Sequence, residues 1–444
     1  MKYFGTDGIR REASQFTPEF ITKIIAGLAD YANTIITDRP AKVLIGGDTR
    51  ESTEWILTDL AAALETFGFD YASVDVLPTP AINYCFYQMG FDFAIDVTAS
   101  HNSFIDNGIK IFERGDTSGI KLGEQGCTAI ESSLISDHTY TLISPTDRAS
   151  LHTDALALYA EHLRNYLGDV SFANLKIGLD CANGATSVIN KQIFEALGAK
   201  VELISANSSY GRLINENCGS THLEQLKSLV RENNLDFGVA YDGDGDRCLL
   251  IDHAGHTITG DEIIAIIANY LHLDSIAVTV MSNQGLLNWA AENHIHTEIT
   301  SVGDSNVAAA MRTHHIQLGG EESGHIILPG EPTGDGILTS LLVTKIISET
   351  DNSLHDLANI FTKLPTVSLT IPATDAQKEA VRQNPAITSI ISHFEEKVNR
   401  VSGRLLVRPS GTEPKIRITL WGTDETIITK LANELKEELC KSLN

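Results

Sequence analysis

Cysteine is scarce in this chain: six thiols in 444 residues, at 85, 127, 181, 218, 248 and 440, with no C-x-x-C pair. That scatter excludes a zinc knuckle and a disulfide framework, and it fits a reducing, cytoplasmic compartment. Positive charge is short as well, 33 Lys and Arg against 58 Asp and Glu, for a net charge of −25. Such a chain is no partner for nucleic acid, whose binding rests on Lys and Arg neutralising phosphates. Small anions remain accessible, because local basic clusters decide those. No run of about 18 apolar residues is present, so no membrane span is expected. The first residues, Met1 to Asp7, lack the apolar core of a signal peptide. Neither a Walker A sequence nor G-x-G-x-x-G occurs, which leaves nucleotide use without support.

What is present is the composition of a globular protein, 42% hydrophobic and 20% charged, long enough for about 3 or 4 domains. A strand–helix–strand series occurs three times. The first runs from a strand at 42–46 through an amphipathic helix (Ile56, Leu57, Leu60, Leu64, Phe67) to a strand at 71–77, closed by Pro78-Thr79-Pro80. The second comprises a strand at 175–180, a helix at 185–197 and a strand at 200–204; the third, a strand at 275–281, a helix ending at Glu292 and a strand at 296–300. Alternation of this kind predicts mixed, mostly parallel sheets with helices packed on them. Polar residues 144–154 read as a linker before a helix at 156–167, and 362–373, with two prolines, precedes a tail of two strands and a Lys/Glu-rich helix. The fold class is therefore α/β: three tandem related α/β domains (1–150, 151–252, 253–364) and a C-terminal α+β domain (365–444).

Four stretches carry groups that can do chemistry. After an alternating strand at 91–97 comes Thr98-Ala99-Ser100-His101-Asn102-Ser103, with Lys110 ten residues past the serine. Ser100 is placed like a nucleophile or phosphate carrier, although from this segment alone a turn that merely ends the strand is the stronger reading, and it is the other stretches that reverse it. Asp242-Gly243-Asp244-Gly245-Asp246-Arg247 follows the strand 237–241. In extended chain, carboxylates at i, i+2 and i+4 share one side, and the glycines let the backbone gather them. Three such groups repel unless a cation sits among them, and hard oxygens suit Mg²⁺ or Ca²⁺. The twelfth position from Asp242 is His253, not glutamate, so this is no EF-hand.

Gly319-Gly320-Glu321-Glu322-Ser323-Gly324-His325 offers carboxylates, a hydroxyl and an imidazole suited to sugar hydroxyls, with Glu321 or His325 able to move protons. It is not a nucleophile elbow, since Ser323 sits one place late. The basic residues 404, 408, 415 and 417 surround Ser410-Gly411-Thr412, an arrangement for seating a phosphate. Near the start, Gly5-Thr6-Asp7-Gly8-Ile9-Arg10-Arg11 reads as a tight loop from which Arg10 can reach an anion.

The order FGTDGIR, TASHN with DNGIK, DGDGDR, GEESGH and RPSGTEPKIR resembles the α-D-phosphohexomutase superfamily over the whole chain. Within it, KYFGTDGIR, DCANGAT and NCGSTH are most similar to the bacterial branch that interconverts glucosamine 6-phosphate and glucosamine 1-phosphate. The resemblance implies four domains around a central cleft. It implies that Ser100 carries phosphate and shares Mg²⁺ with Asp242, Asp244 and Asp246, and that a glucose or glucosamine 1,6-bisphosphate serves as intermediate or activator. Arg10, His101, Lys110, Arg247 and His325 would act around the transferring group. Gly303, Asp304, Glu321 and Ser323 would bind the sugar; Arg408, Ser410, Gly411, Thr412 and Arg417 would hold its other phosphate. A homodimer is implied too. Arg11, Ser103, Glu322 and Ser305 depart from the usual pattern. The same chemistry on glucose or mannose phosphates, a Mg²⁺-dependent phosphatase and a non-catalytic sugar-phosphate binder are the alternatives.

Overall fold

Parallel strands need a crossover between them, and the helices of the repeated series supply it. The computed structural model describes residues 2–5, 7–143, 149–410 and 414–443. Two units emerge: Met1–Thr279 with Thr300–Ala358, and Val280–Ile299 with Asn359–Asn444.

In the first unit, Lys42–Gly47 lies between Asp70–Val76 and Phe93–Val97, parallel to both. Asp106–Arg114 returns antiparallel along Phe93–Val97, and Gly8–Glu12 pairs with its other side. In a second sheet Lys176–Asp180 has parallel neighbours Lys200–Ile204 and Phe237–Tyr241, and Cys248–Asp252 returns antiparallel along the latter. In a third, Ser275–Thr279 runs parallel to Gly319–Gly320, which pairs antiparallel with Ile326–Ile327. Phe93–Val97 and Phe237–Tyr241 are buried at every residue, as strands covered on both faces must be. Each sheet thus has a parallel strand that doubles back into an antiparallel neighbour. The connecting turns are residues 98–105, 242–247 and 321–325, which hold three of the four stretches singled out for chemistry.

The second unit holds a three-stranded antiparallel sheet, Thr366–Pro372, Lys415–Trp421, Arg404–Pro409 in spatial order. Ile416, Ile418 and Leu420 share a buried cluster with Phe394 of the helix Pro385–Asn399 and with Ile428 and Leu435 of Glu425–Leu443.

Local expectations fail where turn chemistry competes. The strand Asp70–Val76 ends just before Pro78-Thr79-Pro80 as expected, but the same residues also open the helix Thr79–Gln88, because proline costs nothing in a first turn, where the N–H has no partner anyway. The helix expected over 185–197 is a 3₁₀ turn, Ala185–Val188, followed by Asn190–Ala196. Thr186, Ser187 and Val188 are poor helix formers, two because their hydroxyls compete for the backbone and one because it is β-branched. The expected linker contributes structure: Ala149–Ser150 joins the first sheet beside Asp70–Val76 and the next helix starts at His152; 144–148 lie outside the described residues. The proline-bearing stretch 362–373 supplies the edge strand Thr366–Pro372, whose last residue is a proline that owes the ladder no donor.

Candidate active site

Ser100 has φ +54°, a left-handed backbone that costs a residue with a side chain about 1–3 kcal/mol. The buried guanidinium of Arg50 holds it there. Its Nε–H donates to Asp48 Oδ2 at 2.9 Å, one terminal nitrogen donates to the carbonyls of Ser100 (2.9 Å) and Asn102 (2.8 Å), and the other to those of Ser103 and Asp106. All five donors of the side chain are therefore spent on one loop and one carboxylate. Asn215 Nδ2, in the loop that follows Lys200–Ile204, donates to the Ser100 and Asn102 carbonyls at 2.9 and 2.8 Å. The two loops touch backbone to backbone. A Cβ at Gly243 would stand 2.6 Å from the Ser100 carbonyl oxygen, so only glycine fits.

The Ser100 hydroxyl, 1% exposed, donates to Asp242 Oδ2 at 2.6 Å. Asp242, Asp244 and Asp246 are all buried, and one oxygen from each lies within 4.8 Å of the others. The segment is a turn rather than the extended chain expected; Gly245, at φ +75°, helps curl it, and curling is what makes the carboxylates converge. Burial, followed by the charges of Asp244 and Asp246, pushes Asp242 well above the usual carboxylate range. Asp246 goes the other way: burial opposes its ionisation, but Lys110 and other positive groups hold it below the usual range. Lys110 Nζ bonds Asp244 at 2.7 Å and Asp246 at 3.0 Å, with Asp7 at 3.1 Å; burial disfavours its charge, and those carboxylates keep it protonated. Asp244 Oδ1 and Asp246 Oδ1 remain buried with no hydrogen-bond partner among the described residues. Buried carboxylate oxygens left so are costly, and with Asp242 Oδ2 they make a donor set of hard oxygens that fits a divalent cation.

Positive groups border this cluster. Arg10 pairs with Asp7 at 2.5 Å, and its buried Nε has no hydrogen-bond partner among the described residues. Arg247 lies 3.7 Å from Asp246 and contacts His101 Nδ1 at 3.2 Å. A guanidinium only donates, so Nδ1 is the unprotonated nitrogen. Burial and then Arg247 and Arg10 push His101 down to about 4, which leaves the imidazole neutral near pH 7. Its Nδ1 is 3.3 Å from Ser100 Oγ.

His325 is 2% exposed, neither ring nitrogen is hydrogen-bonded among the described residues, and Nε2 is 3.7 Å from Asp304. Its backbone bridges to that of Arg247, which joins the second and third turns. Glu321 Oε1 accepts the Gly303 N–H at 3.1 Å, while Ser323 is exposed. Lys121, not singled out from the sequence, ion-pairs with both Asp7 and Asp304 and lines a cavity of about 230 Å³ with Asp304, Ser305 and His325. Arg11, where the family pattern has glycine, lies in the strand Gly8–Glu12 without a positive φ, its guanidinium 4.1 Å from the Phe20 ring centre.

In the second unit, Arg408 and Arg417 are direct cross-strand partners, and the Ser410 N–H donates to the Lys415 carbonyl at 2.9 Å. Arg404, counted from sequence with this basic group, is used otherwise. It lies 3.9 Å from the Trp421 ring centre and donates to the carbonyls of Val280 (3.1 Å) and Ser282 (2.5 Å). Gly411 and Thr412 lie outside the described residues.

Sequence reasoning missed Arg50, Asn215 and Lys121. Arg50 had a signal, since Gly47-Asp48-Thr49-Arg50 ends the strand next to the serine loop's own strand.

The chain matches four consecutive domains of one family: Phosphoglucomutase/phosphomannomutase alpha/beta/alpha domains I (residues 1–140), II (157–255) and III (259–364), and the C-terminal domain (370–438). A phosphoglucosamine mutase of Caldicellulosiruptor saccharolyticus is 40% identical, over 98% of each chain. Among solved structures, a phosphoglucomutase/phosphomannomutase family protein of Burkholderia thailandensis superposes with a TM-score of 0.77 at 19% identity, covering 99% of this chain and 97% of that one. An N-acetylphosphoglucosamine mutase of Aspergillus fumigatus, solved with GlcNAc-6P and magnesium, does so with a TM-score of 0.68 at 16% identity, over 99% and 96%. With a buried serine hydroxyl set against three carboxylates and all four domains matched in order, the chain belongs to the phosphoglucomutase/phosphomannomutase family, isomerases that move a phosphoryl group between the oxygens of a hexose.

Proposed function

We propose that the chain interconverts glucosamine 6-phosphate and glucosamine 1-phosphate in the cytoplasm, a step toward UDP-N-acetylglucosamine, with Ser100 as the phosphate carrier. The name of its 40%-identical relatives supports the substrate. The observation that carries the chemistry is the Ser100 hydroxyl 2.6 Å from Asp242, within a cluster of three buried carboxylates. Mg²⁺ held by Asp242, Asp244 and Asp246 would neutralise charge on the phosphoryl group at Ser100.

In the forward half the free sugar hydroxyl attacks phosphorus and the bond to Ser100 Oγ breaks. Neutral His101 takes the hydroxyl's proton and passes it to Oγ, 3.3 Å from its Nδ1. Arg10, Lys110 and Arg247 balance the charge that spreads over the phosphoryl oxygens. The 1,6-bisphosphate then returns its other phosphate to Ser100 by the reverse step. Gly303, Asp304, Glu321, Ser323 and His325 would engage the sugar. Arg408, Ser410, Gly411, Thr412 and Arg417 would seat the phosphate that is not reacting. In these terms residues 1–150 carry the phosphate, 151–252 the cation, 253–364 the sugar contacts and 365–444 the second phosphate.

Intact mass before and after incubation with glucose 1,6-bisphosphate tests the carrier: one phosphoryl group is gained, and none in Ser100→Ala. Relative kcat/KM on glucosamine, glucose and mannose 1-phosphates tests the substrate. A preference for glucose or mannose would reassign the sugar and leave the mechanism standing, whereas release of inorganic phosphate without a shifted ester would make the chain a phosphatase.

A further inference from the structure

The strand that leaves the carboxylate turn, Cys248–Asp252, ends in a second group of metal-ligating side chains that the mutase chemistry does not use. Asp252, with its side chain 1% exposed, accepts the N–H groups of Ala254 (3.0 Å) and His256 (2.8 Å) on Oδ1. Those two bonds fix the carboxylate and turn Oδ2 toward two imidazoles. His256 Nδ1 stands 2.9 Å from Oδ2, and His355 Nδ1, from the short helix Leu354–Ala358, 2.7 Å. The three ligand atoms lie within 4.8 Å of one another. A third imidazole, His253, stands edge-on to His355 with ring centres 5.6 Å apart.

The geometry points to a second cation site at Asp252, His256 and His355, for a divalent ion that prefers imidazole, of which Zn²⁺ is the type. Mg²⁺ and Ca²⁺ take oxygen ligands, so two nitrogens and one oxygen discriminate against the ion that suits the Asp242–Asp246 turn. Zinc sites place ligands about 2.0–2.1 Å from the metal, so an ion at the centre of this group needs only a small outward movement of the rings. The two histidines can give way, with side chains 66% and 39% exposed, and they leave the ion open to water or to His253 as a fourth ligand. The backbone bonds on Oδ1 are the kind of outer support that ligating carboxylates carry. Only a hydrogen-bonded cluster without a metal would make the same contacts, and metal counting separates the two.

An ion there would tie the end of the Cys248–Asp252 strand to Leu354–Ala358, the last helix of the first unit. The site is therefore structural, and its occupancy reads out as stability rather than turnover.

The test uses the untagged full chain in excess Mg²⁺, given Zn²⁺ and dialysed. The wild type retains zinc, X-ray absorption shows imidazole nitrogen around it, and the thermal midpoint rises. His256→Gln, a change at an exposed side chain, and the double variant with His355→Gln each lose that zinc and the rise in midpoint, while turnover in Mg²⁺ alone stays at the wild-type level in His256→Gln. Equal zinc retention by wild type and variants, zinc with oxygen ligands only, or no zinc retained by the wild type overturns the assignment.

Discussion

The two ends of one five-residue strand, Cys248–Asp252, present opposite solutions to the same electrostatic problem. Before it, three carboxylates are buried together, with Lys110 bonded to two of them and two oxygens left without hydrogen bonds among the described residues. After it, a single buried carboxylate has both oxygens engaged, and its imidazole partners reach into solvent. Crowded buried charge demands a fixed counter-charge. An isolated charge is satisfied locally. In the readings proposed above, the first arrangement would serve the reaction and the second the scaffold.

The largest effect that would sharpen this contrast is at Ser100. Ser100→Ala is expected to lower kcat by roughly 10⁴-fold or more, as loss of an attacking serine does elsewhere, while His256→Gln leaves it unchanged; steady-state mutase assays of both check the pair. Next, Asp244→Asn takes one carboxylate charge from the upstream group and one of the three ion-pair partners of Lys110. Half-activation by Mg²⁺ should shift upward by at least about 100-fold, since even loss of a supporting group can cost that much. Chelation of the wild type should abolish turnover and Mg²⁺ should restore it.

Arg50→Lys tests what holds the serine loop in place. Lysine offers three donors where all five of arginine are used, so two bonds are lost and stability should fall by about 2–6 kcal/mol, by roughly 1–3 for each buried acceptor left unmade. A lower urea midpoint, with kcat reduced and Mg²⁺ dependence unaltered, would set this residue apart from the cation ligands.

The smallest effect concerns acid. His101 titrates at about 4 in the folded chain against 6.5 for the free side chain. Between those values the unfolded chain binds the extra proton, so stability rises with pH across the window and is lost as pH falls from 6.5 toward 4. At about 1.4 kcal/mol per unit the ceiling is roughly 3 kcal/mol. Urea midpoints at pH 7 and pH 5 should differ less in His101→Gln than in the wild type; an unchanged difference would show that the imidazole is not held neutral by its surroundings.

Much of this site was readable from the chain because its parts are local. Asp242, Asp244 and Asp246 are neighbours in sequence, and no distant residue is needed to bring them together. Ser100 lies at the end of a recognisable strand. The extended-chain argument for the carboxylates named the right residues but the wrong backbone, since a turn does the gathering. Arg50 and Asn215 were not readable: each acts on carbonyls 50 or more positions away, 115 in the case of Asn215 and Ser100, and carbonyls leave no mark on sequence. The basic tail shows the converse error. Arg404 carries the same charge as Arg408, yet packing against Trp421 fixes its use, and composition cannot distinguish the two.

The three reactive turns all occupy the same station, where a parallel strand doubles back into an antiparallel one. A polypeptide assembled by copying one such unit inherits three equivalent anchor points and can specialise them separately. In the reading proposed above, one copy would keep the nucleophile, another the ion, and the last would meet the sugar. Exchange of the final turn alone is then the economical route to a new substrate, because the strands that flank it are already spliced to the catalytic pair.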